Sequence, residues 1–372
     1  MKRKIALLLT TIGLVTGTLT GCGNNTQKES ETADNVKAEQ EEQTETVEVV
    51  EETEETVQSE FVGEGLNEAK TIRIGYTANG SFNLKRLDDK FKWITDEFAE
   101  DQIEVEWVEF QYGPPMIEAL ATGSLEIAYG IGDTPIINGL ANNVPVQAIG
   151  LGPHSKTSTA IIVSGELKDE VKELKDLKGK KVALSVGSTN QDFIAKELES
   201  VGLSESDVEL ANITTVNDQL AALLNNEIDV AVNIEPNASY LVQEAGAFKL
   251  DYGEPLKISY GYLVGNKDFL EKNPELAARF VKQNEIAKEY IKENLEEYKE
   301  YYAEATQFDL QLLDFMNDWE YRSDLGDDIG TALESTADFM LKTGQLETEV
   351  NLSDAYTNRY VEEAEKLLED NK

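Results

Sequence analysis

Short apolar runs recur along the chain between residues 71 and 265, and their length and composition predict β-strands. Segments with the spacing of amphipathic helices lie between these runs, and each ends at a glycine or an asparagine. The predicted strands are TIRIGY, QIEVEWVEF, LEIAYGI, TAIIVS, KKVALSV, IDVAVNI and SYGYLVG, and the clearest helices are PMIEALATG, FIAKELESVG and DQLAALLNN. This alternation predicts an α/β fold with parallel strands.

The chain from residue 274 onward has an almost continuous helical pattern. Asn273 suits a helix N-cap and Pro274 suits the first helical position. A weak internal repeat relates residues 118–128 to residues 221–231: in both copies a helix ends, an acid precedes a buried strand, and a proline follows. The repeat predicts two lobes of similar construction, although any helix–turn–strand unit shares some of these features.

Polar residues collect at four predicted strand-to-helix corners. In open α/β sheets, ligands bind beyond the carboxyl ends of the strands. There, helix N-termini present unpaired N–H groups and a partial positive charge. At one corner, Thr134 is predicted as the N-cap and Pro135 as the first helical residue. The corners span residues 74–82, 131–135, 185–190 and 232–237. Capping explains any one corner, whereas the four together predict a shared ligand site.

The sequence limits catalytic and metal chemistry. Cys22 is the only cysteine and His154 the only histidine, which excludes an intramolecular disulfide and zinc sites built from several histidines. His154 lies in the polar stretch GPHSKTS and is predicted to be an exposed loop residue. Neither G-x-G-x-x-G nor G-x-x-x-x-G-K-[ST] occurs, so nucleotide binding is disfavoured and no cofactor or metal is expected.

The chain is strongly acidic, with a formal net charge of −39. A field of this sign opposes contact with nucleic acid, so no nucleic-acid partner is expected. Residues 22–68 are rich in Glu, Thr, Gln and Ser and have almost no aromatic residues. A segment of this composition cannot bury enough apolar surface to fold, which predicts a disordered acidic linker.

The N-terminus has the layout of a secretory signal. A positive cluster at residues 2–4 precedes an apolar run at residues 5–15, which is too short to span a membrane as a helix. The tetrad LTGC at residues 19–22 resembles a bacterial lipobox. It predicts a signal peptide over residues 1–21 and a lipid on Cys22 that anchors the exported protein to the outer face of the cytoplasmic membrane. An ordinary signal peptide remains the alternative.

The run WVEFQYGPPMIEALATGSLEIAYGIGDTP resembles the extracytoplasmic solute-binding proteins of ABC importers for aliphatic sulfonates. Relatives in that superfamily bind taurine, nitrate or pyrimidine precursors of thiamine. Further matches are IRIGYTANGS, LKDLKGKKVALSVGSTN and IDVAVNIEP. The resemblance implies a two-lobed periplasmic-binding-protein (type II) fold, in which each lobe is a mixed sheet flanked by helices. Lobe I would take residues 69–160 plus 258–372 and lobe II residues 161–257, with crossovers near residues 157–165 and 251–264.

The resemblance also implies a function and a site. The protein would be a monomeric, non-catalytic lipoprotein that captures a small organic anion, an aliphatic sulfonate or a taurine-like compound, and delivers it to an ABC permease. Matched motifs place the ligand contacts at Asn79, Gly80, Ser81, Gly132, Asp133, Thr134, Ser188, Thr189, Asn190 and Glu235.

Two positions depart from the family pattern. The family often has an aromatic residue or histidine where this chain has Asn190, and a tryptophan where it has Ile234, so a different or smaller ligand is expected. The alternatives are a heterocycle such as a thiamine pyrimidine precursor, nitrate, or an exported enzyme with Asp/Glu chemistry. A further alternative is an adhesion module, for which Tyr301 and Tyr302 would have to form an exposed patch.

Overall fold

The computed structural model of the protein describes residues 68–78 and 80–370. Three predictions concern residues outside these ranges: the signal peptide at 1–21, the lipid on Cys22, and the contact by Asn79. Of the linker predicted for residues 22–68, only Glu68 is described.

The strands form two separate sheets. They are β1 (Thr71–Thr77), β2 (Glu104–Phe110), β3 (Ile127–Ile131), β4 (Val146–Leu151), β5 (Thr159–Val163), β6 (Lys181–Leu184), β7 (Glu209–Asn212), β8 (Val230–Ile234), β9 (Phe248–Lys249) and β10 (Tyr262–Asn266). The order is β2-β1-β3-β10-β4 in the first sheet and β7-β6-β8-β5-β9 in the second. We call the part built on the first sheet lobe I and the part built on the second sheet lobe II.

Helices cover the faces of both sheets. They are α1 (Leu84–Phe91), α2 (Trp93–Ala99), α3 (Gly113–Ala121), α4 (Asp133–Ala141), α5 (Thr189–Ser200), α6 (Val216–Leu224), α7 (Asn237–Ala245), α8 (Lys267–Lys272), α9 (Pro274–Glu293), α10 (Leu295–Thr306), α11 (Asp327–Lys342) and α12 (Arg359–Glu369). Short 3₁₀ segments lie at Gly165–Leu167, Leu174–Leu177, Glu205–Asp207 and Leu310–Asp318. The helix predicted to begin at Pro274, with Asn273 before it, is confirmed.

The two sheets have the same arrangement of strands. In the first, β1 pairs in parallel with β2 and β3, and β10 lies antiparallel between β3 and β4. In the second, β6 pairs in parallel with β7 and β8, and β5 lies antiparallel between β8 and β9. The sequence repeat corresponds to α3–β3 in one lobe and α6–β8 in the other. The predicted pair of similar α/β lobes is therefore confirmed, with mixed rather than purely parallel sheets.

The core follows from the alternation of side chains along the strands. In β3, Ile127 and Tyr129 belong to one buried cluster, whereas Ala128 between them belongs to another on the opposite face of the sheet. The first cluster includes Phe280 of α9, and the second includes Ile329 of α11. The C-terminal helices therefore cover both faces of the lobe I sheet.

The chain passes between the lobes twice, through residues 152–158 and residues 250–261. Thr159 at the end of the first link and Ser259 in the second are joined by a hydroxyl–hydroxyl hydrogen bond of 2.8 Å. No helix in the described part of the chain is both long enough and apolar enough to cross a bilayer.

Candidate functional site

A cleft of about 350 Å³ lies between the lobes, and all four predicted corners contribute to its lining. The predicted contacts among its lining residues are Gly80, Ser81, Gly132, Ser188, Thr189, Asn190 and Glu235. The corners belong to two different sheets, so the carboxyl ends of β1, β3, β6 and β8 face one common space. The N-terminal turns of α4 and α5 meet directly beside this space, because the Thr189 hydroxyl at the start of α5 donates to the Asp133 carboxylate at the start of α4 at 3.3 Å.

Two more corners and both links also line the cleft, and the sequence reasoning missed them. The additional corners are residues 111–113, after β2, and residues 214–217, after β7. The second had a detectable signal, because Thr215 and Asp218 are spaced as an N-cap pair. In the structure the Thr215 hydroxyl oxygen accepts from the Asp218 N–H at 3.1 Å.

Helix α4 begins two residues earlier than predicted. Gly132, with φ −79° and ψ 170°, is the N-cap, and Asp133 is the first helical residue, so Thr134 is not the cap and Pro135 is the third residue. The Asp133 carboxylate accepts from the Thr134 N–H at 3.0 Å, which lets the acid satisfy the first turn. Thr134 is fully buried and is absent from the cleft lining.

Asp133 is also absent from the cleft lining, because it faces a buried lysine. Its carboxylate accepts from the ammonium group of Lys257 and, at 3.0 Å, from the hydroxyl of Thr336. Burial is the largest single influence and raises the pKa of Asp133, but the charge and hydrogen bond of Lys257, together with the Thr336 hydroxyl and the charge of Lys196, outweigh burial and hold this pKa below its usual value.

Helix α5 has the cap that the sequence predicts. Ser188 is its N-cap, and the hydroxyl oxygen accepts from the Asn190 N–H at 3.2 Å while donating to the Ser185 carbonyl at 2.6 Å. Gly187 has φ +75°, the left-handed conformation that glycine adopts without strain. The cap also engages the Asn190 N–H, so the partial positive charge of the α5 N-terminus, rather than the Ser188 hydroxyl, is what this corner offers to the cleft.

Glu235 lines the cleft but is neutralised by a neighbour. It is 2 % exposed, forms an ion pair with Lys249, and accepts from both the N–H and the hydroxyl of Ser239 at 3.0 Å. The Glu235–Pro236 peptide bond is cis. Asp133 and Glu235 therefore act as helix-end groups paired with lysines, which removes the repulsion that two bare carboxylates would exert on an anion.

The cleft is polar but carries little charge of its own. Its described lining residues include Glu109 and Glu235 and contain no lysine or arginine. Three lining side chains have a buried polar atom without a hydrogen-bond partner among the described residues: Nδ1 of His154, Oγ of Ser158 and Oδ1 of Asn237. Nowhere among the described residues do His, Cys, Asp and Glu side chains group as a metal site would require.

His154 is buried, and the prediction of an exposed loop residue is wrong. Its side chain packs on the ring of Tyr260 at a centroid distance of 4.8 Å, and its backbone exchanges two hydrogen bonds with Glu320. The polar stretch around His154 is the first link between the lobes, and its residues 152–155 are buried whereas Lys156 and Thr157 are exposed. Burial lowers the pKa of His154, and the Glu320 carboxylate only partly opposes this effect.

Further contacts join the lobes outside the cleft lining. The rings of Tyr240, on α7 of lobe II, and Phe308, which packs on the lobe I core, have centroids 5.2 Å apart. Next to them, the Gln243 amide donates to the Asp309 carboxylate at 2.8 Å. We call these four residues the α7 contact.

Comparison with known proteins gives matches over most of the chain. The family model described as "NMT1/THI5 like" matches residues 98–297. A putative aliphatic sulfonates-binding protein of Bacillus subtilis (strain 168) is 31% identical over 300 residues, which are 80% of this chain and 89% of that protein. The taurine-binding periplasmic protein of Escherichia coli (strain K12) is 28% identical over 184 residues, 48% of this chain and 54% of that protein.

Solved structures share the fold at lower identity. The alkanesulfonate-binding protein SsuA from Xanthomonas axonopodis pv. citri, bound to MOPS, has a TM-score of 0.70 at 21% identity, covering 78% of this chain and 99% of that chain. A Candida albicans gene product with the generic periplasmic binding protein structural fold has a TM-score of 0.63 at 15% identity, covering 77% and 96%. The desulfurization enzyme DSZB has a TM-score of 0.57 at 15% identity, covering 80% and 99%. The predicted periplasmic-binding-protein fold is therefore confirmed.

Proposed function

The chain belongs to the NMT1/THI5-like family, and on this basis we propose that it captures a small organic anion between its lobes and delivers it to an ABC permease. The proposed ligand is an aliphatic sulfonate or a taurine-like compound. The observation that carries the proposal is the meeting of strand-to-helix corners from both sheets at one cleft.

The electrostatics of the cleft support an anion held by dipoles rather than by a fixed cation. Among the described lining residues no lysine or arginine is available to pair with the ligand. The first turns of α4 and α5 instead direct N–H groups and partial positive charge to this space, one from each lobe. With Glu235 paired to Lys249, the exposed acid Glu109 is the lining carboxylate left to attract a ligand amine of the kind taurine carries.

A flat heterocycle is the second candidate, and the aromatic lining favours it. The rings of Phe82, Tyr112, Tyr260 and Trp319 contribute to the cleft, so planar walls are present even though Asn190 and Ile234 replace the aromatic residues frequent in the family. Offset or edge contacts of these rings with a pyrimidine would contribute on the order of 1 kcal/mol each.

We infer binding rather than catalysis, although one structural neighbour is an enzyme on a similar scaffold. Glu235 is tied to Lys249 and to the first turn of α7, which leaves it poorly placed to move a proton. An adhesion role has less support, because Tyr302 is completely buried and the Tyr301 hydroxyl donates to the Arg86 carbonyl instead of contributing to a surface patch.

The proposal includes the location and organisation of the protein. Residues 1–21 would be removed as a signal peptide, and a lipid on Cys22 would anchor a monomer outside the cytoplasmic membrane. Lobe I would comprise residues 69–160 plus 258–372 and lobe II residues 161–257. The acidic segment 22–68 would act as the tether between the anchor and lobe I.

A thermal-shift screen of the full-length protein against sulfonates, taurine, nitrate and thiamine pyrimidine precursors tests the function. A ligand that binds only the folded state raises Tm, because it adds RT ln(1 + [L]/Kd) to the free energy of unfolding. We expect an aliphatic sulfonate or taurine to give the largest shift. A larger shift with a pyrimidine would favour the second candidate, and conversion of any compound during the assay would indicate an enzyme.

A further inference from the structure

A buried cluster of charged side chains lies outside the cleft lining and spans both lobes. Its centre is Lys257, in the second link, whose side chain is only 3% exposed. Lys257 pairs with Asp133 of lobe I and, at 2.5 Å, with Asp192 of lobe II, whose side chains are 1% and 0% exposed. One lysine therefore connects an acid from each lobe to the segment that joins the lobes.

Two more residues complete the cluster. Thr336, on α11, accepts from Lys257 at 2.9 Å and donates to Asp133 at 3.0 Å. Lys196, on α5, lies 3.5 Å from Asp192 and donates to Thr336 at 3.2 Å. The cluster pairs two acids with two lysines, so its formal charges balance in the interior.

The cluster lies at the N-terminal ends of α4 and α5, the two helices whose first turns contribute to the cleft lining. Asp133 is the first residue of α4, and Asp192 lies in the first turn of α5. The Thr189 hydroxyl, at the start of α5, also donates to Asp133 at 3.3 Å. Any movement of α4 relative to α5 must therefore change contacts to Lys257.

Stability alone is a poor explanation for this cluster. Burying ion pairs costs desolvation free energy that their attraction barely repays, and apolar replacements are often neutral or stabilising. What an ion cluster provides and an apolar contact does not is a defined geometry, because three partners around one ammonium group restrict its position. The remaining role is to fix how the two helix N-termini face each other.

We propose that Lys257 is a positioning residue for ligand capture: through Asp133 and Asp192 it fixes the N-terminal turns of α4 and α5 relative to each other where the two lobes meet beside the cleft. It does not touch the ligand itself. The expected effect of Lys257 on ligand affinity rests on the proposed function. The expected effect of Lys257 on the distance between the lobes does not, because that distance is measured without ligand.

The test compares two double variants in the full-length chain. K257M together with D192N removes the Lys257–Asp192 ion pair between the second link and lobe II, and it also takes Lys257 away from Asp133 of lobe I. K288M together with E285Q removes a pair of similar burial, 2.8 Å long, that lies within α9 of lobe I. Both changes conserve net charge, so a difference between them reports the position of the pair.

The distance between the lobes distinguishes a positioning role from a contribution to stability alone, because loss of stability alone would leave this distance unchanged in the folded protein. Spin labels on Cys introduced at the exposed residues Glu118 and Glu227, with Cys22→Ser to remove the native thiol, give this distance without ligand. We expect a broader, longer distribution in the Lys257 variant and an unchanged one in the Lys288 variant. Affinity for taurine should fall roughly tenfold in the Lys257 variant only, as the binding-competent fraction decreases.

An inter-lobe distance unchanged from the parent in the Lys257 variant would overturn the proposal. If that variant does not fold, T336V replaces it, because it deletes only the hydroxyl shared by Lys257 and Asp133. Failure of the parent protein to bind taurine would count against the proposed function, whereas the distance measurement would still decide the role of Lys257.

Discussion

A Cβ atom placed on Gly132 would lie 1.9 Å from the hydroxyl oxygen and 3.1 Å from the Cβ of Thr189. Gly132 belongs to lobe I and Thr189 to lobe II, so the lobes meet at a point with no room for a side chain. The glycine of the GDTP corner is needed for this close approach and not for its backbone angles, since its φ is −79°.

Gly132→Ala is expected to weaken ligand binding while leaving each lobe folded. The added methyl would have to displace Thr189, at a cost of about 1–3 kcal/mol in the closed arrangement. Isothermal titration with the best ligand from the thermal-shift screen measures the effect. Adding Thr189→Ala removes the oxygen at 1.9 Å and should restore part of the affinity. Equal affinities of Gly132→Ala and the parent protein would contradict the close packing.

Ser188→Ala and Thr134→Val should change stability in opposite directions. Loss of the Ser188 cap on α5 is expected to cost about 1 kcal/mol. The Thr134 hydroxyl is buried and lacks a partner among the described residues, so valine should raise the free energy of unfolding, by up to about 1 kcal/mol. Urea denaturation of the two single variants measures both. Destabilisation by Thr134→Val would mean that this hydroxyl has a partner.

The free energy of unfolding should decrease on acidification through the pKa of unfolded histidine, about 6.5. Burial lowers the pKa of His154, so the folded protein binds the proton more weakly than the unfolded chain does. This contribution is fully present above the unfolded pKa and is lost as the pH falls below it. Because His154 is the only histidine, His154→Gln should flatten this part of the curve.

Chemical denaturation at a series of pH values, with parent and variant in parallel, measures the slope. Burial raises the pKa of Asp192, which acts with the opposite sign, but this acid is present in both proteins and cancels in their difference. Parallel curves for the two proteins would refute the assignment to His154.

Lys249→Met should weaken the binding of an anion on the order of tenfold. The change leaves the Glu235 carboxylate buried in the cleft lining without its partner, and a like charge about 4 Å away costs about 1–4 kcal/mol. Titration calorimetry with a sulfonate measures the loss. Lys249→Met with Glu235→Gln removes both charges and should recover affinity. Unaltered binding by the single variant would place the ligand away from Glu235.

Phe308→Ala should reduce affinity without altering the cleft lining. The ring forms part of the α7 contact with Tyr240, and an aromatic pair contributes about 0.5–1.5 kcal/mol, which corresponds to about two- to tenfold in Kd. Stopped-flow dissociation of the ligand should show a faster off-rate. Phe91→Ala is the control, because Phe91 stacks on Trp93 within lobe I at 4.3 Å. Equal off-rates in the two variants would show that the α7 contact does not help to hold the lobes together around the ligand.

The corners of the cleft were predictable because their signals are local. Gly187 and Ser188 follow a buried strand directly, and a glycine, a cap residue and an apolar helical face suffice to predict a turn into a helix. The same reasoning misplaced the start of α4 by two residues, because the Asp133 carboxylate supplies the first-turn acceptor from inside the helix.

Other parts of the fold depend on partners that are distant along the chain. The strands β4, β7 and β9 were not predicted. β7 is half-exposed at a sheet edge and β9 has two residues, so neither has the apolar run by which seven strands were predicted, whereas β4 (VQAIGL) has such a run and was missed. Lys257 lies 124 residues from Asp133, and nothing in its own neighbourhood marks it as buried. His154 was misjudged for the same reason. The residues next to it in sequence are polar, but residues 152–155 are buried in the structure and His154 packs on Tyr260.

The strand order determines which lobe can complete its sheet first as the chain folds. All strands of the lobe II sheet come from the continuous segment 159–249, whereas β10 enters the lobe I sheet between β3 and β4 only after that segment has been completed. A growing or translocating chain can therefore close lobe II before lobe I, whose sheet stays split until residue 266 arrives. Lobe I, which contains the first strand of the described chain, is thus the last of the two lobes to complete its sheet.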